Sequence, residues 1–222
     1  ILVCLDEAFL TGGCHYTNGC NGYQKQCRSC PATSSKNLQQ KISQNLKAKQ
    51  RAVGIVDPLV VYCSSQLEIM GKNSTIFKNA RSKVVPLGAM NNQEIQMYVK
   101  HSEEHFKKNN IAYSNNTLKV LVRSSSEYRK GCDLFISAIN ILNKKISDLS
   151  NRLEIISIGD DFIDNSLKAN YQNHKYMGMV SRDELNKLYA QSDALIVTSR
   201  EDAGPIMINE AILVGLYVIS TP

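Results

Sequence analysis

Three groups of residues in this sequence have types and spacings that could do chemistry. The first is "GGCHYTNGCNGYQKQCRSCP", where Cys14, Cys20, Cys27 and Cys30 are separated by five, six and two residues and His15 follows the first thiol. Four thiolates can close a tetrahedral zinc site, and a Cys-x2-Cys pair supplies two ligands from one turn. Such a site leaves no open position, so zinc here would be structural. Free thiols, or a disulfide or redox role, are the competing readings, and a reducing compartment disfavours the last. Cys63 and Cys132 fall in a strand-like run and at a helix start, where a small packing role suffices.

The second group is "RSSSEYRKGCDLF", in which Arg123 ends an apolar run and Arg129 and Lys130 stand directly before Gly131 and a helix start. Cations beside a helix N-terminus make a diphosphate site, because backbone N–H groups and the helix dipole add to the side-chain charge. Taken alone, the same residues would read as solvent-facing loop cations. The third group is "SREDAGPIMINEAILVG". Asp202 lies in the loop and Glu210 in the helix that follows; Gly204 and Pro205 shape the loop so that a ligand can approach main-chain amides. Glu210 can accept hydrogen bonds from sugar hydroxyls. Its competing reading is a favourable negative charge in the early turns of a helix.

Placing these groups requires a particular order of elements. After the cysteines, "SSKNLQQKISQNLKAKQRAVG" reads as a basic helix, "IVDPLVVYCSS" as a strand and turn, "QLEIMGKNSTIFKNA" as a helix broken at Gly71, and "SKVVPLGA" as a short strand. Residues 96–117 are rich in Asn, Lys and Glu and read as a connector. Beyond them strands "LKVLVRS", "LEIISIGD", "HKYMGMV", "ALIVTS" and "LYVIST" alternate with helices "CDLFISAINILNKK", "SRDELNKLYAQS" and "IMINEAILVG". That rhythm implies right-handed crossovers and a doubly wound α/β domain with a parallel sheet. Ligands bind such sheets outside the carboxyl ends of the strands, where both "SSEYRKG" and "REDAGP" fall.

Composition bounds the answer more loosely. The 222 residues are 43% hydrophobic and 21% charged, which suits one large globular domain or two small ones. No apolar run reaches the length of a membrane span, and "ILVCLDEAFL" carries two acids where a signal peptide is apolar, so a cytoplasmic protein is expected. An Ile start and a "TP" end directly after a strand-like run read as a fragment. The net charge of +6 suits nucleic acid, an anionic membrane or phosphate-bearing ligands, and equally a plain basic surface. Lys41, Lys47, Lys49 and Arg51 could give the first helix a membrane-facing basic side, or a merely solvated one.

The quoted C-terminal motifs, with "YMGMVSRDELNKLYAQSDALIV" before them, resemble the donor-sugar domain of glycosyltransferase family 4, the retaining group of the GT-B fold. The family's pattern of an acid, seven residues, then Glu-Ala is filled by Asp202, Glu210 and Ala211. The opening "LDEAFLTGGCHYTNGCNGYQKQCRSCP" resembles a Cys-rich segment of bacterial members that build capsule, exopolysaccharide or lipopolysaccharide. Asp6 stands at that segment's Asp, but its usual preceding His is Leu5 here, which puts the rate in question. The resemblance implies two Rossmann-like domains, the N-terminal one partly present: residues 1–95 on the acceptor side with the Cys-rich insert at 14–31, the connector at 96–117, and the donor domain at 118–222.

It also implies a nucleotide-sugar donor, UDP- or GDP-linked, and transfer with retention to a glycan or polyprenyl-linked acceptor. Asp202, Lys130 and Asp6 would be catalytic. Arg123, Arg129, Lys130, Gly204 and Glu210 would bind the donor, Lys130 with Arg123 or Arg129 neutralising the departing diphosphate in place of a catalytic metal. Peripheral contact with the inner membrane and no nucleic-acid partner are expected. The rivals are a GT-B relative that epimerises or hydrolyses nucleotide sugars, an inactive scaffold, and a zinc-ribbon nucleic-acid module. For the last, only Tyr16, Tyr23, Lys25 and Arg28 surround the thiols.

Overall fold

The structure is a computed structural model that describes residues 1–88, 96, 100, 103, 117–168 and 171–221. Nearly all of the connector expected at 96–117 lies outside the described residues. The chain forms two compact units, Ile1–Leu87 with Glu201–Gly204, and Gly88–Arg200 with Pro205–Pro222.

In the first unit three short parallel strands, β1 (Leu2–Cys4), β2 (Val60–Tyr62) and β3 (Ser82–Val84), pair in the order β1-β2-β3. Helix α1 (Lys36–Val56) starts where the Ser35 hydroxyl accepts from the Leu38 amide. It runs further than its sequence suggests, taking in Ile55 and Val56, which are exposed at its end. Pro58 disfavours right-handed helix at Asp57, which turns left-handed at φ 43° and closes the helix with its N–H on the Val53 carbonyl. Helix α2 (Ser65–Asn73) is not broken at Gly71, contrary to the sequence reading. That glycine answers a packing demand, since a Cβ there would stand 2.1 Å from the Tyr62 hydroxyl. Leu10, Leu46, Val60, Tyr62, Leu67 and Phe77 form the core between sheet and helices.

The second unit is built on five parallel strands, β4 (Leu118–Ser124), β5 (Leu153–Gly159), β6 (His174–Tyr176), β7 (Ala194–Val197) and β8 (Tyr217–Ser220), in the order β6-β5-β4-β7-β8. Both faces are covered. On one, Val120, Val122 and Ile155 meet Phe135 and Ile139 of α3 (Cys132–Lys145), Leu149 of α4 (Leu149–Arg152) and Ile163 of α5 (Phe162–Leu167). On the other, Leu121, Ile156 and Leu195 meet Leu188 and Tyr189 of α6 (Arg182–Gln191) and Ala211 of α7 (Ile206–Leu213). Alternating strand residues thus feed opposite cores, as a sheet buried on both sides requires. The strand order grows one way from β4 through β5 to β6 and the other way through β7 to β8, so the topological switch lies between β4 and β7.

Candidate functional site

The turn that follows β4, at the switch point, carries Arg129 and Lys130. After β4 the chain makes a 3-10 turn at Tyr128–Lys130, and Gly131 precedes α3 at φ 63°. A Cβ on Gly131 would stand 1.8 Å from the Thr198 carbonyl oxygen, so this turn is pressed against the end of β7. The Arg200 amide donates to the Arg129 carbonyl at 2.7 Å, and the Cys132 thiol donates to the Arg123 carbonyl at 3.3 Å while accepting from the Ser125 amide. Cys132 is therefore a buried tie within the loop rather than simple filling.

The loop's acids are occupied by other partners. Arg200 grips Asp133 with two bonds of 2.7 and 2.6 Å and lies over the Tyr128 ring, 4.0 Å from its centroid. That grip holds the Asp133 carboxyl below its ordinary range and balances an anion in the first turn of α3, where it would oppose a phosphate. Just past the end of β5, burial alone would raise the pKa of Asp160. The amides of Ser126 and Phe162 and the Ser124 hydroxyl outweigh that and keep it low. Asp160 so fixes the start of the cationic loop, a role its sequence position did not announce. Of the cations themselves, Arg123 is exposed near the end of β4, and Lys130 and Arg129 are half-buried in the turn, with Arg129 Nε 2.6 Å from Glu127.

Glu210 lies in α7 and is only 2% exposed. A carboxylate in that position needs partners. Tyr189, itself buried, donates its hydroxyl to Oε2 at 2.8 Å, and Arg182 pairs with Oε1. Both come from α6, and neither is visible as a partner in sequence. The available signal was "SRDE", which forms a capping box of Ser181 and Glu184 and so puts Arg182 at the first position of its helix.

In the first unit, Asp6 stands two residues beyond β1. Its Oδ1 accepts from the Ala8 amide at 2.8 Å, capping a 3-10 turn at Glu7–Phe9, and its Oδ2 lies 2.8 Å from His15 Nδ1. The segment Glu201–Gly204 belongs to the same unit, and in it Asp202 accepts from the Gly204 amide at 3.4 Å. Glu201 accepts from the Thr17 hydroxyl at 2.6 Å and the Asn18 amide at 2.7 Å, while Glu7 takes the Thr17 amide at 2.6 Å. Burial and the adjacent Glu201 raise the Glu7 pKa to about 7. This carboxylate pair escaped the sequence reading because its members stand far apart in the chain.

The four cysteines are neighbours, all of them free thiols. Cys20 accepts from the Gly22 amide at 3.4 Å, and a Cβ on Gly22 would lie 3.4 Å from the Cys20 sulfur and 3.7 Å from that of Cys27. Burial raises the pKa of Cys14 and of Cys27, and the nearby thiols push in the same direction. Among the described residues, no three His, Cys, Asp or Glu side chains are arranged to hold a metal ion.

Of the basic side drawn on α1, Lys49 turns inward. Its Nζ donates to the carbonyls of Ala8 at 2.6 Å and Thr11 at 3.0 Å. Among the described residues, no helix is long and apolar enough to cross a membrane.

A family profile described as "Glycosyl transferases group 1" matches residues 101–222. No curated protein matches the chain. Among solved structures, sucrose-phosphate synthase from Thermosynechococcus elongatus is similar with TM-score 0.59 and 15% identity, over 89% of this chain and 48% of that one. WaaG, described as a glycosyltransferase involved in lipopolysaccharide biosynthesis, gives TM-score 0.51 and 20% identity over 72% and 43%. A trehalose-6-phosphate protein from E. coli, described as bound with UDP-2-fluoro glucose, gives TM-score 0.52 and 12% identity over 73% and 45%. The chain therefore spans less than half the length of each of these structures. At such identities the likeness shows the fold, which is the α/β, parallel-sheet architecture of GT-B glycosyltransferases. The profile covers more than half of the residues, and the chain belongs to the group 1 glycosyl transferases.

Proposed function

We propose that this chain contributes the donor-binding unit and part of the acceptor unit of a retaining glycosyltransferase. It would move a sugar from a UDP- or GDP-sugar to a glycan or polyprenyl-linked acceptor in bacterial surface-polysaccharide biosynthesis. The observation that carries the reading is the cationic turn Tyr128–Lys130, seated before α3 at the switch point of a parallel sheet. Lys130 and Arg129 or Arg123, with the first-turn amides of α3, supply the positive field that a diphosphate needs.

In the proposed reaction the bond from the anomeric carbon to the diphosphate oxygen breaks and its electron pair leaves with the diphosphate. The acceptor oxygen bonds to the anomeric carbon from the same face, and its proton passes to the departing diphosphate. Because charge grows on the leaving group, cations fixed beforehand stabilise the transition state more than the bound donor. Glu210 would accept from the ribose hydroxyls, held in place by Tyr189 and Arg182. Asp202, Gly204 and Asp6 keep the catalytic and binding roles implied by the family resemblance. The bound UDP-2-fluoro glucose of one similar structure supports a uridine donor, and the lipopolysaccharide role of another supports a cell-envelope acceptor at the cytoplasmic face.

A structural zinc at Cys14, Cys20, Cys27 and Cys30 would draw these neighbouring thiols inward from their present arrangement. Metal analysis finding about one zinc per chain, lost in Cys27→Ser, supports it; a metal-free protein with four titratable thiols removes it.

Leu5, 54% exposed at the family's His position, favours a second reading as a weak or inactive relative. Donor turnover separates the readings. Release of UDP or GDP that depends on an added glycan acceptor, and that rises in Leu5→His, supports transfer. Equal release without acceptor identifies a hydrolase, and none in either variant identifies a scaffold.

A further inference from the structure

We propose that His15, oriented by Asp6, is a substrate-binding residue of the first unit whose Nε2 accepts a hydrogen bond from a hydroxyl of the acceptor sugar. This rests on the glycosyltransferase reading above and adds a residue that reading does not use.

His15 has 73% of its side chain exposed, and an imidazole so placed is ordinarily free to change rotamer. Here both its backbone and its ring are fixed. The Glu7 amide donates to the His15 carbonyl at 3.2 Å. Asp6 is pinned by the Ala8 amide through one carboxylate oxygen and meets His15 Nδ1 at 2.8 Å through the other. A carboxylate only accepts, so Nδ1 carries the hydrogen, and with Nε2 bare, as proposed, that nitrogen offers a lone pair to a hydroxyl.

The segment carrying the ring is anchored along its length to α1. The Asn45 side chain donates to the Gly12 carbonyl at 2.7 Å, and Lys49 bridges the carbonyls of Ala8 and Thr11. A Cβ on Gly12 would lie 2.6 Å from Ile42, so the backbone touches the helix there. The Thr11 hydroxyl donates to the Cys14 carbonyl at 2.9 Å and closes the turn. Packing on this scale is what a binding group needs from its support, and a solvated surface histidine has no use for it.

Location gives the ligand class. Asp6 begins two residues beyond β1, a strand of a parallel sheet, so the dyad lies outside the carboxyl ends of the strands, where such units take ligands. A hydrogen-bond acceptor of fixed direction suits a neutral hydroxyl-bearing sugar. The Lys49 charge close by is already bound to two carbonyls.

The test uses the full chain labelled with 15N-histidine, with UDP and GDP as nucleotide probes and the octyl glycosides of glucose, galactose and N-acetylglucosamine as acceptor probes. In nucleotide-saturated wild type the expected result is a His15 Nδ1–H tautomer whose Nε2 resonance moves with at least one glycoside. His15→Ala should weaken that glycoside about tenfold and leave nucleotide affinity unchanged, and His15→Gln should recover part of the loss. Asp6→Ala should shift the tautomer and weaken the glycoside. Nucleotide binding with no His15 response to any glycoside, or with equal glycoside affinity in His15→Ala, overturns the inference and spares the donor-site reading. Failure of wild type to bind either nucleotide overturns both.

Discussion

At the scale of single residues, two buried carboxylates govern what can be measured. Glu210 is satisfied by Tyr189 and Arg182, so its removal leaves a buried hydroxyl without its acceptor and a guanidinium without its anion. Glu210→Ala should cost about 1–3 kcal/mol of stability, and Tyr189→Phe about 1 kcal/mol, read as urea midpoints at constant m. Unchanged midpoints in both would contradict this account of the pair. Glu7 behaves differently, because its pKa is raised to about 7 in the folded state by burial and by Glu201. Between the unfolded carboxylate's range near 4.5 and pH 7, the folded chain binds more protons than the unfolded chain, so its stability falls as pH rises through that window. Glu7→Gln should flatten this fall in a series of pH-dependent melts; a parallel profile would show that Glu7 is not its source.

Elements show where the sequence was legible. The runs "LKVLVRS" and "LEIISIG" announce β4 and β5 because buried parallel strands are apolar almost throughout. β1 has three residues, too few for any periodicity, and α5 is hard to see in sequence because only Ile163 and Leu167 are buried in it. The cations of the candidate site were legible, since Arg129 and Lys130 precede a helix start. Their restraint by Arg200 and Asp160 was not, because it depends on strands that are neighbours only in the folded sheet. Two glycines make the same point. Gly71 looks like a helix breaker in sequence, yet it admits the Tyr62 ring, while Gly131 admits the Thr198 carbonyl. Gly131→Ala meets backbone at a positive φ, so it should distort the turn, weaken nucleotide binding at least tenfold and cost more than the ~1 kcal/mol of a tolerated left-handed residue. Gly71→Ala should destabilise by about 1–3 kcal/mol through overpacking and leave nucleotide affinity alone. Equal effects of the two on binding would contradict the assignment of the turn.

Across the whole molecule, the two units carry different features. The second has the switch point, the cationic turn and the buried glutamate, which together suit a nucleotide diphosphate. The first has a small sheet, a helix that anchors the "TGGC" segment, and an oriented histidine. Of the opening cysteines, Cys14 belongs to that anchored segment. The family profile begins beyond them, at residue 101.

The most direct test of the account is isothermal titration of the chain with UDP, GDP and ADP, in wild type, Lys130→Ala and Glu210→Ala. The account predicts saturable binding of one nucleotide in preference to the other two, weakened at least tenfold by either substitution in protein that remains folded. Binding of none, or binding that both variants retain in full, would contradict the claim that this unit is a nucleotide-sugar site.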